Sequence, residues 1–187
     1  AVGVQEEIAR VVPVIEALAA RTGAVLSVDT SRPEVIAAAL RAGAHLVNDV
    51  RALRTPGALA AAAAQNAAVC VMHMQGEPAT MQADPRYDDV VAEVREFLRA
   101  RTSACRDAGI AGDSICIDPG IGFGKTYQHN VELLRHQRAF TDLGYPLLIG
   151  VSRKALIGIM TGRPARERVV GSAVAAAFAV QAGAAII

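Results

Sequence analysis

The sequence contains no tryptophan, and aromatic residues make up only 4% of its 187 positions. Hydrophobic residues nevertheless account for 52% of the chain, so its core must be built from alanine, valine, isoleucine and leucine. These side chains suit helices packed against buried parallel strands, whose sequences are continuous apolar runs. A chain of this length can form one domain with a substantial core.

Charge is nearly balanced, with a formal net charge of +1. A nucleic-acid-binding surface normally requires a basic stripe, so this balance predicts no nucleic-acid partner. No apolar run approaches the ~20 residues that a membrane-spanning helix requires. The longest such run, at positions 58–64, is rich in alanine and only weakly hydrophobic. The sequence therefore also predicts no membrane association.

Cysteine is scarce, since Cys70, Cys105 and Cys116 are the three present and none belongs to a C-x-x-C pair. An odd number without paired spacing predicts neither a disulfide framework nor a zinc site. The first four residues lack the charged start and apolar core of a signal peptide. Together these absences predict a reducing, cytoplasmic location.

Five apolar, strand-like runs each end at polar residues that could bind a ligand. They are Val25–Val28 before Asp29, His45–Val47 before Asn48 and Asp49, Val69–Met72 before His73, Ser114–Ile117 before Asp118, and Leu147–Val151 before Ser152, Arg153 and Lys154. The carboxyl ends of parallel strands lie on the same face of a fold. The polar residues are therefore predicted to converge on one site.

Stretches with helical periodicity separate these runs. They occupy roughly positions 5–21, 33–41, 56–66, 87–108, 130–142 and 167–182, and one long loop covers 74–86. The βα repeats predict a parallel sheet. Polar residues at nearly every strand end favour a (β/α)8 TIM barrel over a doubly wound sheet. The strands present cannot close such a barrel, so we expect residues 1–187 to be a single partial domain, without the first strands and the end of the last.

Asp29 and Asp118 are predicted to bind a ligand rather than to cap helices. Capping is a common reason for aspartate before a helix. However, the hydroxyls of Thr30 and Ser31 are predicted to cap the helix that follows Asp29. Asp118 precedes a glycine-rich loop instead of a helix.

Asn48–Asp49 and His73 leave alternatives open. Of the first pair, one residue is expected to bind a ligand while its neighbour holds the loop. His73 could be a base or a metal ligand, but no second histidine or cysteine stands at metal-binding spacing. We therefore favour a hydrogen-bonded structural role for His73. His129 and His136 are predicted to be solvated on a helix face.

The loop Asp118–Thr126 partly matches a nucleotide-binding P-loop. A P-loop requires glycine where Pro119 stands. Proline there removes a backbone N–H and fixes φ, which disfavours a phosphate-binding turn. We favour a tight βα turn beneath a ligand, with Phe123 providing an apolar surface.

Arg153 and Lys154 are predicted to begin a helix, with Ser152 at the cap position. The helix dipole gives cations no stabilisation at a helix N-terminus, where anions bind instead. Two cations in this position predict a nearby anion or electron-rich ligand.

Five segments, in this order, resemble the dihydropteroate synthases, enzymes of folate biosynthesis. They are Ser27–Val35, Val47–Val50, Met72–Gly76, Asp118–Lys125 and Gly150–Lys154. The resemblance implies a TIM barrel and a cytoplasmic transferase that joins 4-aminobenzoate to 6-hydroxymethyl-7,8-dihydropterin diphosphate, giving 7,8-dihydropteroate and pyrophosphate. It also implies a homodimer, and competition between sulfonamides and aminobenzoate.

The resemblance also implies roles for individual residues. It assigns Asp29, Asn48, Asp118 and Lys154 to pterin binding, Met72 and Gly150 to the pocket walls, and Phe123, Ser152 and Lys154 to the surroundings of aminobenzoate. Asp29 and Lys154 are implied to be catalytic. Lys154 would bond the pterin carbonyl, and Asp29 would stabilise positive charge in the transition state without a side-chain nucleophile.

Some family features are expected outside these residues. The asparagine that binds magnesium and two mobile loops would precede the sequence, and the Arg-x-His that holds the diphosphate would follow Ile187. The resemblance thus implies Mg²⁺ as a cofactor but no metal ligand within residues 1–187. We expect this polypeptide alone to be inactive, and pyrophosphate release by purified residues 1–187 would contradict that expectation.

Three other functions are considered. Another pterin-binding barrel, such as a methyltetrahydrofolate–corrinoid methyltransferase, would share the pterin carboxylates but needs no aminobenzoate site, so Ser152–Lys154 argues against it. A P-loop module would lose ATP binding on substitution of Lys125 by alanine. A non-catalytic barrel fragment or pseudoenzyme is the third.

Overall fold

The computed structural model describes residues 2–187, in which helices and strands alternate up to the fifth helix and three further helices follow. The helices are α1 (Val4–Ala19), α2 (Pro33–Arg41), α3 (Ala58–Ala63), α4 (Val90–Asp107), α5 (Tyr127–Arg135), α6 (Arg138–Thr141), α7 (Ala155–Thr161) and α8 (Val169–Gln181). The strands are β1 (Ser27–Asp29), β2 (Leu46–Asp49), β3 (Ala68–Met72) and β4 (Ile115–Asp118). Single 3₁₀ turns lie at Gly112–Ser114 and Ala165–Glu167.

The strands follow one another in the hydrogen-bonded order β1-β2-β3-β4, and the first three pair in parallel. Val28 pairs with Val47, which pairs with Val69, and all three are buried. β-branched side chains pack well on such a surface, so this row anchors the helices to the sheet. The same register places Asp29 beside Asn48 at the carboxyl ends of β1 and β2. The predicted parallel α/β architecture is confirmed.

The chain divides into two compact units. The first comprises positions 1–72 and 101–116, and the second comprises 73–100 and 117–187. In the first unit, Val35 and Ile36 of α2 are fully buried. Proline near the start of this helix suits its first turn, where a backbone N–H has no helical partner.

The second unit continues the parallel pattern through single bridges rather than full strands. Ile117 pairs with Leu147, and Leu148 pairs with Ile186. The apolar run predicted as a strand at 147–151 therefore contributes only these short pairings. Phe140 and Ile149 are fully buried in this unit.

The helix predicted at 130–142 is two helices. α5 ends before His136, whose φ of −106° and ψ of 30° leave the helical region, and α6 follows it. Thr126 caps α5, because its hydroxyl accepts from the His129 N–H while the His129 ring accepts from the Thr126 N–H. The prediction of a solvated His129 is therefore wrong, whereas His136 is exposed as expected.

The two predicted hydroxyl caps are wrong. Arg32 occupies the N-cap position of α2, and its side chain makes no cap hydrogen bond. The Ser31 hydroxyl instead donates to Asp49. Lys154 occupies the N-cap position of α7, while Ser152 is exposed two residues earlier.

No helix among residues 2–187 has both the length and the apolar character needed to cross a membrane.

Candidate functional site

In the first unit, Asp29 and Asn48 form a polar pair at adjacent strand ends. The Asn48 side-chain amide donates to Asp29 Oδ2 at 3.1 Å. Partial burial raises the pKa of the Asp29 carboxyl, the Asn48 hydrogen bond opposes this, and the negative charge of Asp49 adds to it. The pair places a carboxylate and an amide side by side at this edge of the sheet.

Asp49 holds the loop that follows β2. It is fully buried and accepts from the Arg51 N–H at 2.8 Å and from the Leu53 N–H at 2.7 Å. These bonds stabilise a turn in which Ala52 and Leu53 have φ of 54° and 56°, a conformation unfavourable for residues other than glycine. Asp49 therefore supports the loop, and a ligand-binding role for Asn48 stays a prediction.

In the second unit, Asp118 begins a glycine-rich loop and bonds to it. Asp118 Oδ1 accepts from the Gly120 N–H at 2.7 Å. Gly120 has a φ of 71°, and a Cβ there would lie less than 3.0 Å from the backbone oxygen of His73. Gly124 has a φ of 62°, and a Cβ there would also lie less than 3.0 Å from the backbone oxygen of Gln75. Glycine is therefore required because segment 73–75 passes directly against the loop.

Lys154 lies over two glycines of this unit. A Cβ at Gly122 would lie 3.3 Å from Lys154 Cδ, and one at Gly150 would lie 3.4 Å from Lys154 Nζ. The ammonium donates to the Ile121 carbonyl and lies 5.0 Å from the centre of the Phe123 ring. The lysine stem thus uses the space that the absent side chains leave.

The charges of Asp118 and Lys154 each oppose the effect of burial on the other residue's pKa. Burial raises the pKa of the Asp118 carboxyl, while the Gly120 N–H and the positive charges of Lys154 and Lys125 lower it. Burial lowers the pKa of Lys154, and the Asp118 charge opposes that effect. The attraction favours the charged forms, an acceptor and a donor, on both side chains.

Lys125 is an interior residue that sequence reasoning considered only as a phosphate ligand. Its side chain is 3% exposed. Its ammonium donates to the Phe123 carbonyl at 2.9 Å and is hydrogen-bonded to His73 Nδ1 at 2.9 Å. A P-loop lysine must reach bound phosphate, so these internal contacts argue against that function.

His73 lies in the interior of the second unit. Its backbone N–H donates to the Asp118 carbonyl at 3.0 Å. Its ring packs edge-on against the Phe97 ring, with 4.9 Å between the ring centres. These contacts support the structural role favoured from the sequence. Met72 is also buried, in the first unit, whereas Phe123 is partly exposed.

The residues present do not fit a magnesium centre. Over the part of the chain that the structure describes, no three His, Cys, Asp or Glu side chains are grouped to hold a metal ion. All three cysteines are buried.

We expect Lys125 to make stability depend on pH. Burial lowers its pKa to about 7, with Asp118 opposing and Lys154 reinforcing the effect. Above this value the folded protein releases a proton that the unfolded chain retains up to its ordinary pKa near 10.5, so stability rises with pH in that window. Urea unfolding of the intact protein measures the free energy of unfolding. Between about pH 7 and pH 9, this free energy should increase by about 2 kcal/mol more in wild type than in Lys125→Met. Equal slopes in the two proteins would contradict this.

The fold is that of an α/β protein with parallel strands between helices. Carboxylates, an amide and lysines lie at or beyond the carboxyl ends of its strands, which is the usual place for binding a polar small molecule in this class. Within this class, the chain belongs to the pterin-binding enzyme family, whose pattern, described as "Pterin binding enzyme", matches residues 1–187.

Its curated relatives include dihydropteroate synthases. The enzyme of Escherichia coli (strain K12) is 48% identical over 186 residues, covering 100% of this chain and 66% of the relative. That of Synechocystis sp. (strain ATCC 27184 / PCC 6803 / Kazusa) is 41% identical over 188 residues, covering 100% of this chain and 65% of the relative. The chain therefore spans about two thirds of the length of these relatives.

Solved structures show the same fold. The Yersinia pestis dihydropteroate synthase in a sulfonamide drug complex matches with a TM-score of 0.97 and 48% identity, covering 100% of this chain and 68% of that one. The Xanthomonas albilineans enzyme in complex with 7,8-dihydropteroate matches with a TM-score of 0.92 and 51% identity, covering 99% and 68%. This likeness confirms the predicted fold class.

Proposed function

We propose that the chain is the pterin-binding part of a dihydropteroate synthase. This transferase would join 4-aminobenzoate to 6-hydroxymethyl-7,8-dihydropterin diphosphate, giving 7,8-dihydropteroate and pyrophosphate. The observation that carries the proposal is the buried Asp118 carboxylate, attracted by Lys154, in a chain 48% identical to the Escherichia coli enzyme. A carboxylate and an ammonium together match the N–H donors and the ring carbonyl of a pterin.

Four polar side chains are assigned to pterin binding. Asp118 accepts N–H bonds from the aminopyrimidine, and Lys154 donates to the ring carbonyl. Asn48 and Asp29 supply further polar contacts, as their mutual hydrogen bond at neighbouring strand ends supports. Met72 and Gly150 are assigned to the pocket walls.

Phe123, Ser152 and Lys154 are assigned to the aminobenzoate subsite. Phe123 offers a ring that already lies beside the Lys154 ammonium. Ser152 is exposed three residues before α7, so its hydroxyl can face solvent or a substrate carboxylate. The Yersinia pestis enzyme was solved with a sulfonamide drug, and we propose that sulfonamides compete for the same subsite here.

In the proposed reaction, the bond between the pterin's exocyclic carbon and the diphosphate oxygen breaks before the arylamine nitrogen attacks that carbon. The amine then loses a proton, so the products are dihydropteroate and pyrophosphate. Positive charge develops on the pterin, and Asp29 is placed to stabilise it electrostatically. Lys154 holds the ring through its carbonyl, and no side chain forms a covalent bond to substrate.

Other properties of the whole enzyme remain proposals. We infer a single pterin-binding domain, a homodimer and a cytoplasmic location, as the resemblance implies. Magnesium would assist departure of the diphosphate, but its ligands are not assigned to residues 2–187 and no step above depends on them.

The proposal is tested with the intact protein, the pterin diphosphate and 4-aminobenzoate. Dihydropteroate should form, and a sulfonamide should raise the KM for aminobenzoate. Lys154→Met should lower kcat/KM by about 100-fold, the effect of losing one preorganised donor. Arg135→Met, an exposed substitution on α5, is the control and should change little. Absence of product would contradict the proposal. If the protein instead transferred a methyl group to a corrinoid, it would be a methyltransferase.

A further inference from the structure

Lys125 is a buried charged residue of the second unit that the proposed reaction does not use. Burying an ammonium is costly unless it is paired and hydrogen-bonded. Lys125 has such partners: the Phe123 carbonyl at 2.9 Å, His73 Nδ1 at 2.9 Å and the His73 carbonyl at 3.3 Å. These hydrogen bonds therefore offset the cost of burying the ammonium, which contacts the loop that carries Phe123.

Lysine is rare in this chain. Lys125 and Lys154 are the two lysines among 19 basic residues, and every other basic residue is arginine. Both are attracted to Asp118. An ammonium is a compact charge that fits where a guanidinium does not, so lysine occurs where the interior requires a small cation.

Lys125 also belongs to a set of donors that shape the loop. Four consecutive carbonyls, from Ile121 to Gly124, each accept a hydrogen bond from a side chain. The donors are Lys154 to Ile121, Gln82 to Gly122, Lys125 to Phe123, and the Tyr87 hydroxyl to Gly124 at 2.8 Å. Lys125 is thus one of two charged donors in the set, and the one that does not contact substrate in the proposed reaction.

The charged surroundings of Lys125 point to its effect on Asp118. Asp118 and Lys154 are the ionic groups that act on it, and His73 and then Tyr87 are the titratable groups packed on its other side. Asp118 must be ionised to accept two N–H bonds from a pterin. Burial disfavours that charge, and the positive charge of Lys125 favours it.

We propose that Lys125 is a positioning residue for the pterin site, holding the 119–125 turn against His73 and keeping Asp118 ionised as the pterin acceptor. This inference rests on the proposed function. It assigns to Lys125 a role both in geometry and in charge, and the two can be separated by experiment.

The test is calorimetric titration of the intact protein with 6-hydroxymethylpterin, which carries no titrating phosphate, between about pH 5 and pH 8. In wild type, affinity should fall at low pH as Asp118 becomes protonated, below the pKa of about 7 at which Lys125 gains its charge. In Lys125→Met, this fall should begin about 1 pH unit higher, the lower end of the effect of a nearby opposite charge. Tyr87→Phe removes a different, uncharged donor to the same loop. It should lower affinity by the same factor at every pH.

Lys125→Gln retains an amide donor for the Phe123 carbonyl and is the second variant if Lys125→Met does not fold. It should show the same displacement of the low-pH fall with a smaller loss of affinity at high pH. Profiles of the lysine variants that parallel wild type would overturn the inference. Failure of wild type itself to bind the pterin would instead overturn the proposed function.

Discussion

Replacing Asp118 by asparagine should weaken binding of 6-hydroxymethylpterin by about 100-fold, from the loss of two hydrogen bonds to a charged acceptor. The structure gives this substitution a specific consequence. Oδ1 already accepts the Gly120 N–H at 2.7 Å, so the amide oxygen of asparagine must take that position. Its NH₂ group would then point where Oδ2 points now. A pterin N–H would meet a donor instead of an acceptor.

Calorimetry on the intact protein measures this loss, and thermal unfolding shows whether the variant remains folded. Asp113→Asn is a matched control, because Asp113 is exposed in the 3₁₀ turn before β4. It should bind the pterin as wild type does. An Asp118→Asn protein that binds with unchanged affinity would remove Asp118 from the site.

Replacing Gly120 by alanine should destabilise the protein by about 3 kcal/mol, combining left-handed backbone strain with overpacking. The added Cβ would lie less than 3.0 Å from the His73 carbonyl oxygen and 3.3 Å from Lys125 Nζ. This oxygen belongs to the backbone of His73, and the backbone N–H of the same residue donates to the Asp118 carbonyl. Relief of the clash must therefore separate the loop from segment 73–75.

Gly144→Ala separates the two contributions. Gly144 also has a positive φ, 82°, but a Cβ there would have no atom within 4 Å. It should cost about 1 kcal/mol, the strain alone. Urea unfolding of both variants gives the difference, which measures the close approach to His73. Equal losses in the two variants would show that the loop and segment 73–75 are not tightly packed.

The strand ends could be predicted from sequence because continuous apolar runs identify buried parallel strands. Asp29, Asn48 and Asp118 follow those runs directly, so their placement required only the direction of the strands. The residue types of Asn48 and Asp49 do not separate their roles, and only the resemblance assigns Asn48 to pterin binding. That distinction depends on the left-handed turn at Ala52 and Leu53, which neither residue type signals.

The sequence predictions are wrong where side-chain contacts take the place of the residue types that usually mark a helix start or a ligand. The start of α5 depends on a capping box completed by His129, where glutamate or glutamine is the usual residue. α7 begins late because Arg153 adopts a φ of 54°, and its N–H bonds to the Ser172 hydroxyl, 19 positions away. The motif around Lys125 indicates a phosphate ligand, whereas the buried contacts of Lys125 are with His73 in a distant segment. Local patterns contain none of these long-range pairings.

The glycine-rich loop is not a portable module. Its carbonyls are held by donors at positions 82, 87, 125 and 154, of which only one lies within the loop's own motif. Copying the motif into another scaffold would transfer its glycines but leave most of those oxygens without their side-chain partners. The same nine letters would then adopt another path, so the ability to place Asp118 and Phe123 resides in the surrounding unit and cannot be engineered by motif transfer alone.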